Sequence, residues 1–177
     1  TRAGRFEDSG LTGDLDIRDD LTIRGTGATA LDTVIDAAQL DRIFHVFPGV
    51  ELILDNLTIQ NGETFDGAGI FVEGRTTATG ITAGSAAIVR MTDVNVIDNE
   101  AYNQGGGIYN FGLVDVSSSS ISRNTAGSRG GGVFNHGNLT LVNATVSTNI
   151  AVSRGGGVYN ELLSTAVNKS IQPVSAF

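Results

Sequence analysis

The chain has no cysteine, one lysine and two histidines among 177 residues. Without thiols there is no disulfide framework, no thiol catalysis and no Cys-ligated metal. The one lysine, Lys169, lies in the irregular C-terminal stretch. His45 and His136 have no nucleophile motif near them, and Ser117 to Ser120 lacks the flanking glycines of a G-x-S-x-G elbow. No apolar run approaches the ~18 residues of a membrane span. Positive charge is also scarce, with 11 basic against 19 acidic side chains and a net charge of −8. The excess is local: 13 acidic and 5 basic residues precede Gly67, and 6 of each follow. Such a chain is a poor partner for nucleic acid or an anionic membrane. It begins at Thr1 with no signal-like segment, which reads as a mature or excised chain.

Glycine, by contrast, occurs 24 times, and its placement is regular. Gly105-Gly106-Gly107-Ile108-Tyr109-Asn110 recurs as Gly130 to Asn135 and as Gly155 to Asn160, 25 residues apart each time. Gly67-Ala68-Gly69-Ile70-Phe71 is a degraded copy. It lies 38 residues before the next, one period plus 13. The 13 extra residues, Arg75 to Ala87, are small and polar and read as an inserted loop. With them removed, Ile88 to Gln104 aligns with Leu113 to Arg129 and Asn138 to Arg154. Gly49 then aligns with Gly74, Gly112 and Gly137, and Asn61 with Asn99, Asn124 and Asn149.

Within each unit apolar residues alternate, as in Leu52, Leu54, then Leu57, Ile59, or Val114, Val116, then Ile121. Period two over three to five residues means short strands separated by turns. Thr33-Val34-Ile35 is also read as strand. A fixed period of this size marks a stacked repeat. Three strands and their turns fill a unit whose perimeter is at most ~80 Å. The expected fold is all-β: a single-stranded right-handed parallel β-helix with about 25 residues per coil. One domain spans residues 1–177. Residues 1–41 form a cap and the first coils, 42–160 the regular coils with the insertion at 75–87, and 161–177 an irregular last rung or docking tail. Stacked Asn61, Asn99, Asn124 and Asn149, and Asn110, Asn135 and Asn160, are expected to form amide ladders. Phe71, Tyr109, Phe134 and Tyr159 make an aromatic column, read as rung-to-rung stacking or as a carbohydrate platform.

The run from Gly105 to Asn160 resembles the right-handed parallel β-helix repeats of large bacterial surface proteins. These include relatives of the polymorphic outer-membrane proteins and chains that end in a cell-surface anchor domain. Leu21 to Gly62 resembles the opening coils of that group, so the likeness covers roughly residues 11 to 160. It implies fold far more than activity, because such repeats serve adhesins, spacers and carbohydrate-acting enzymes alike. No catalytic motif carries across.

The densest group of acids is Asp14, Asp16, Asp19 and Asp20. Asp14 and Asp16 alternate on a strand and point to one face, with Asp19-Asp20 in the following turn. Oxygen ligands of this kind suit a hard cation, so Ca²⁺ is the cofactor to consider there, against a solvated turn. Gln104, Arg129 and Arg154 form a basic column expected to lie on the surface. The glycine triplets are not phosphate loops, since neither a lysine nor a helix follows them. The expectation is a non-enzymatic extracellular or cell-surface module, with contacts through the ends of the stack, the 75–87 loop or the tail. Two rivals stand beside it: a fragment of a carbohydrate-active lyase or hydrolase, and a Ca²⁺-stabilised scaffold subunit.

Overall fold

The computed structural model describes residues 13–74, 76–77, 80–81 and 86–161, with side chains for all but 76–77 and 80–81. The expected N-terminal cap, most of the 75–87 insertion and nearly all of the tail therefore lie outside the described residues. Those described contain strands and turns and no helix.

Three parallel sheets are built by repetition. The first holds Leu15–Ile17, Phe44–Val46, Ile70–Val72, Ile108–Asn110, Val133–Asn135 and Val158–Asn160, stacked in chain order. The second is built on Glu51–Gln60 and Ile88–Ile97, then on the pairs Leu113–Ser117 with Ser120–Ser122 and Asn138–Val142 with Thr145–Ser147. Leu21–Arg24 and Val34–Asp36 pair in parallel with Glu51–Gln60 and start this sheet. The third holds Glu63–Asp66, Glu100–Gln104, Thr125–Ala126 and Ile150–Ala151. Each unit thus gives strand to all three sheets, and Ile88 stands level with Leu113 and Asn138 as the period requires. Within the insertion Thr76–Thr77 and Gly80–Ile81 form a small antiparallel pair. The chain rejoins the stack earlier than expected: Ala86 and Ala87 are buried, and the Ala87 N–H donates to the Glu73 carbonyl.

The alternating residues fill the interior. Leu52, Leu54, Leu57, Ile59, Val89, Met91, Val94, Val96, Val114, Val116 and Ile121 are buried in one continuous core. Its largest aromatic is Phe44, fully enclosed on the first sheet.

Two registers differ from the sequence reading. Gln60 pairs with Ile97, so Asn61 is level with Asp98, and Gly62 rather than Asn61 is level with Asn99. The cause is an extra residue in the rung above: the pairing of Glu100–Gln104 with Glu63–Asp66 shifts between Ala101 and Gln104. Gly49 also misses its column. It precedes Glu51 by two residues, whereas Gly112 directly precedes Leu113, the residue on the Glu51 and Ile88 level.

The bends between strands carry left-handed backbone at residues other than glycine. Asn56, Asp93, Ser118 and Asn143 form one such column, with φ of 54°, 53°, 48° and 51°. Asn61, Asp98, Arg123 and Thr148 form another, with φ of 57°, 56°, 57° and 55°. Asn99, Asn124 and Asn149, each next in chain after Asp98, Arg123 or Thr148, thus serve through their side chains.

Candidate functional site

The first sheet carries the chemistry on its outward face. Alternation along Leu15–Ile17 sends Ile17 inward and Asp14 and Asp16 outward. The neighbouring strand sends Phe44 and Val46 inward and His45 outward, with Asp16 and His45 directly paired. One rung on, His45 is level with Phe71. The imidazole stacks on Phe71 at 5.0 Å between centroids and leans on Phe47 at 4.2 Å. That packing leaves His45 only 5% exposed although it points away from the core.

A polar cluster closes around this ring. His45 Nε2 lies 2.6 Å from Glu73 Oε1, and Nδ1 lies 3.5 Å from Asp16 Oδ1. Arg42 Nη1 donates to Asp14 Oδ2 at 3.0 Å, and its guanidinium sits 5.0 Å above the Phe71 ring. Arg18 Nη2 donates to Asp16 Oδ2 at 2.8 Å while its guanidinium covers Phe47 at 4.1 Å. Burial pushes the His45 pKa below the usual imidazole range, and the charge of Arg42 adds to this, against the opposing pull of Glu73 and Asp16. The shift favours the neutral imidazole. Its one proton belongs on Nε2, because an unprotonated Nε2 would set a lone pair against a carboxylate at 2.6 Å. Nδ1 then presents its lone pair toward Asp16.

Asp14, Asp16 and His45 each offer a ligand atom, all within 4.8 Å of one another. Of the four acids singled out in the sequence, the fold brings Asp14 and Asp16 together and leaves Asp19 and Asp20 apart. Asp19 is exposed, and Asp20 Oδ1 accepts the Glu51 N–H at 2.9 Å, fixing a turn. The sequence reading missed His45 as their partner. The signal was available only through the pairing of Leu15 with Phe44, which breaks the 25-residue period.

The aromatic column continues from His45 through Phe71, Tyr109, Phe134 and Tyr159, with successive centroids 5.0, 5.2, 5.0 and 5.6 Å apart. The rings are near-parallel at every step but Phe71–Tyr109, which is tilted at 54°, and Phe111 lies against both Tyr109 and Phe134. A sugar ring would meet edges instead of an open face, so the geometry favours rung-to-rung stacking. Burial pushes the Tyr109 phenol up to about 12, helped by Asp66 and Glu161 and opposed by Arg129. At the far end Arg129 Nη1 donates to Glu161 Oε1 at 2.9 Å, and His136 Nδ1 lies 3.1 Å from Glu161 Oε2. Gln104, Arg129 and Arg154 are bridged in parallel, as the period predicts.

Both expected ladders are present, except that Asn61 does not join the first: Gly62 N–H donates to Asn99 Oδ1 in its place, and Asn61 Nδ2 donates to Asp36. Asn99 Nδ2 donates to Asn124 Oδ1 at 2.9 Å, and Asn124 Nδ2 to Asn149 Oδ1 at 3.0 Å. Asn110 Nδ2 donates to Asn135 Oδ1, and Asn135 Nδ2 to Asn160 Oδ1, each at 2.7 Å.

Comparison with known protein families, with curated proteins and with solved structures yields no match to this chain.

Proposed function

We propose that the three sheets are the faces of one right-handed parallel β-helix, and that this solenoid is a non-enzymatic extracellular or cell-surface module. It acts as a spacer, adhesin-like unit or subunit of a surface assembly. Supporting the winding is the parallel register of successive units, which needs a same-sense crossover at every turn, and such crossovers are right-handed. The observation that carries the functional reading is the use made of buried amides. Asn99, Asn110, Asn124 and Asn135 bond to the rungs above and below instead of converging on a cleft. Charged pairs on the second sheet follow the same rule. Arg90 binds Glu51 on one side and Asp115 on the other, and Arg123 binds Asp98. Polar side chains spent on axial cohesion suit a load-bearing rod. The likeness of Gly105 to Asn160 to the repeats of bacterial surface proteins adds to this reading.

Protease treatment of intact producing cells tests location. Cleavage of the chain without lysis is expected, and protection until lysis overturns a surface role. Incubation with polyuronates and neutral glycans tests the enzymatic rival. Turnover that is lost in Asp16→Asn would replace this proposal with a carbohydrate-active one.

A further inference from the structure

The cluster at the start of the first sheet has a donor arrangement that axial cohesion does not explain. His45 is more than nine-tenths buried, yet among the described residues its Nδ1 makes no hydrogen bond. The same holds for Asp16 Oδ1, which faces it at 3.5 Å. Two buried polar atoms, neither with a hydrogen bond, therefore face each other at 3.5 Å. A buried polar atom left without a hydrogen bond carries its full desolvation penalty, so two face to face need a reason. Both atoms would be satisfied at once by a cation between them.

The surroundings identify its class. Asp14 brings a second carboxylate within 4.8 Å, while its Oδ2 stays on Arg42. Glu73 takes the Nε2 proton, the hydrogen bond that usually accompanies a metal-bound histidine and fixes the tautomer that ligates. Among the described residues the carboxylates of Asp14, Asp16 and Glu73 gather around the ring, with Arg42 on Asp14 and Arg18 on Asp16. Calcium wants six to eight oxygens and has little use for imidazole nitrogen. One imidazole with two carboxylates, at low coordination number, suits zinc and its neighbours.

We infer that Asp14, Asp16 and His45 form a binding site for a divalent transition-metal ion of the Zn²⁺ class, oriented by Glu73. The ion would join the first two rungs of the sheet, since its ligands come from both paired strands. This places a hard cross-link where the regular 25-residue ladders have not yet begun.

Isothermal titration of the chain with Zn²⁺ tests the site. One ion per chain is expected, with Ca²⁺ failing to compete. Glu73→Gln keeps the stoichiometry and weakens binding about 10–100-fold, the usual loss when a ligand's orienting partner is removed. Asp16→Asn and His45→Gln remove a ligand and lose more. Because His45 is buried, circular dichroism must show His45→Gln folded, and Asp16→Asn and Glu73→Gln carry the test if it is not. Co²⁺ in place of Zn²⁺ gives a visible ligand-field band that disappears in Asp16→Asn. The proposal is overturned if the unaltered chain binds no Zn²⁺, if Asp16→Asn and Glu73→Gln both bind as tightly as the unaltered chain, or if Ca²⁺ displaces Zn²⁺.

Discussion

Asn124 shows how much one amide does in this protein. It accepts from the Asn99 N–H at 3.1 Å and from Asn99 Nδ2 at 2.9 Å, and it donates to Asn149 Oδ1 and to the Val96 carbonyl. Asn124→Ala leaves two buried donors of Asn99 unmet, at about 1–3 kcal/mol each. A loss of about 3 kcal/mol is expected in urea denaturation, against less than about 0.5 kcal/mol for an exposed control such as Thr140→Ala. Asp66 offers a pH-dependent counterpart. Burial raises its pKa above the usual carboxylate value, although Gln104 N and Asn103 Nδ2 both donate to its Oδ1. A raised carboxylate pKa means that folding disfavours the ion. Its stabilising contribution is complete below the unfolded pKa and is lost as pH rises through the folded one. Asp66→Asn keeps the acceptor and removes the charge, so it should exceed wild-type stability at pH 7 and match it at pH 3. Equal gains at both pH values would contradict the assignment. The ladder asparagines were legible in the sequence because each recurs at the period. His45 was not, because its partners lie in the first rung, where Leu15 pairs with Phe44 and Leu21 with Leu52 at spacings that no repeat predicts.

At the level of the element, the triple glycine resolves into separate requirements. Gly130 holds φ of +65°, a left-handed value that glycine adopts without strain. Gly131 and Gly132 are needed for contact. A Cβ on Gly131 would sit 2.3 Å from the Ile150 carbonyl oxygen and 2.5 Å from that of Gly156, and on Gly132 2.6 Å from that of Gly157. All of these are backbone atoms of the next rung, which cannot move without parting the sheets. Gly131→Ala should therefore cost about 3 kcal/mol or more, at the upper end of overpacking effects. Thermal melts read this directly, and a shift under 2 °C would show that the rungs yield. Strands were readable from alternation because one face is buried and the other is not. The bends were readable only in part. Asn56 and Asn143 are ordinary left-handed residues, but Arg123 and Thr148 hold the same conformation. There the rungs on either side impose the geometry and override the preference of the residue.

For the whole molecule, the constant register implies interchangeable units. Deleting residues 113–137 joins Gly112 to Asn138 and sets Asn138 level with Ile88, the place Leu113 now holds. That chain should fold cooperatively with a lower melting temperature. Deleting 24 residues instead turns every following side chain to the wrong face and should abolish the transition, as circular dichroism melts would show. The parallel order of the regular rungs followed from the period, whereas the metal-like cluster and the bulge at Ala101 to Gln104 follow from where the period fails. The ladders also give the molecule a sense of direction. In both of them every amide-to-amide bond runs from the Nδ2 of one rung to the Oδ1 of the next rung toward the C-terminus. The ladders are thus vectors, each with a single sense from one described rung to the next. A rung turned end for end inside the stack would set donor against donor on one side and acceptor against acceptor on the other.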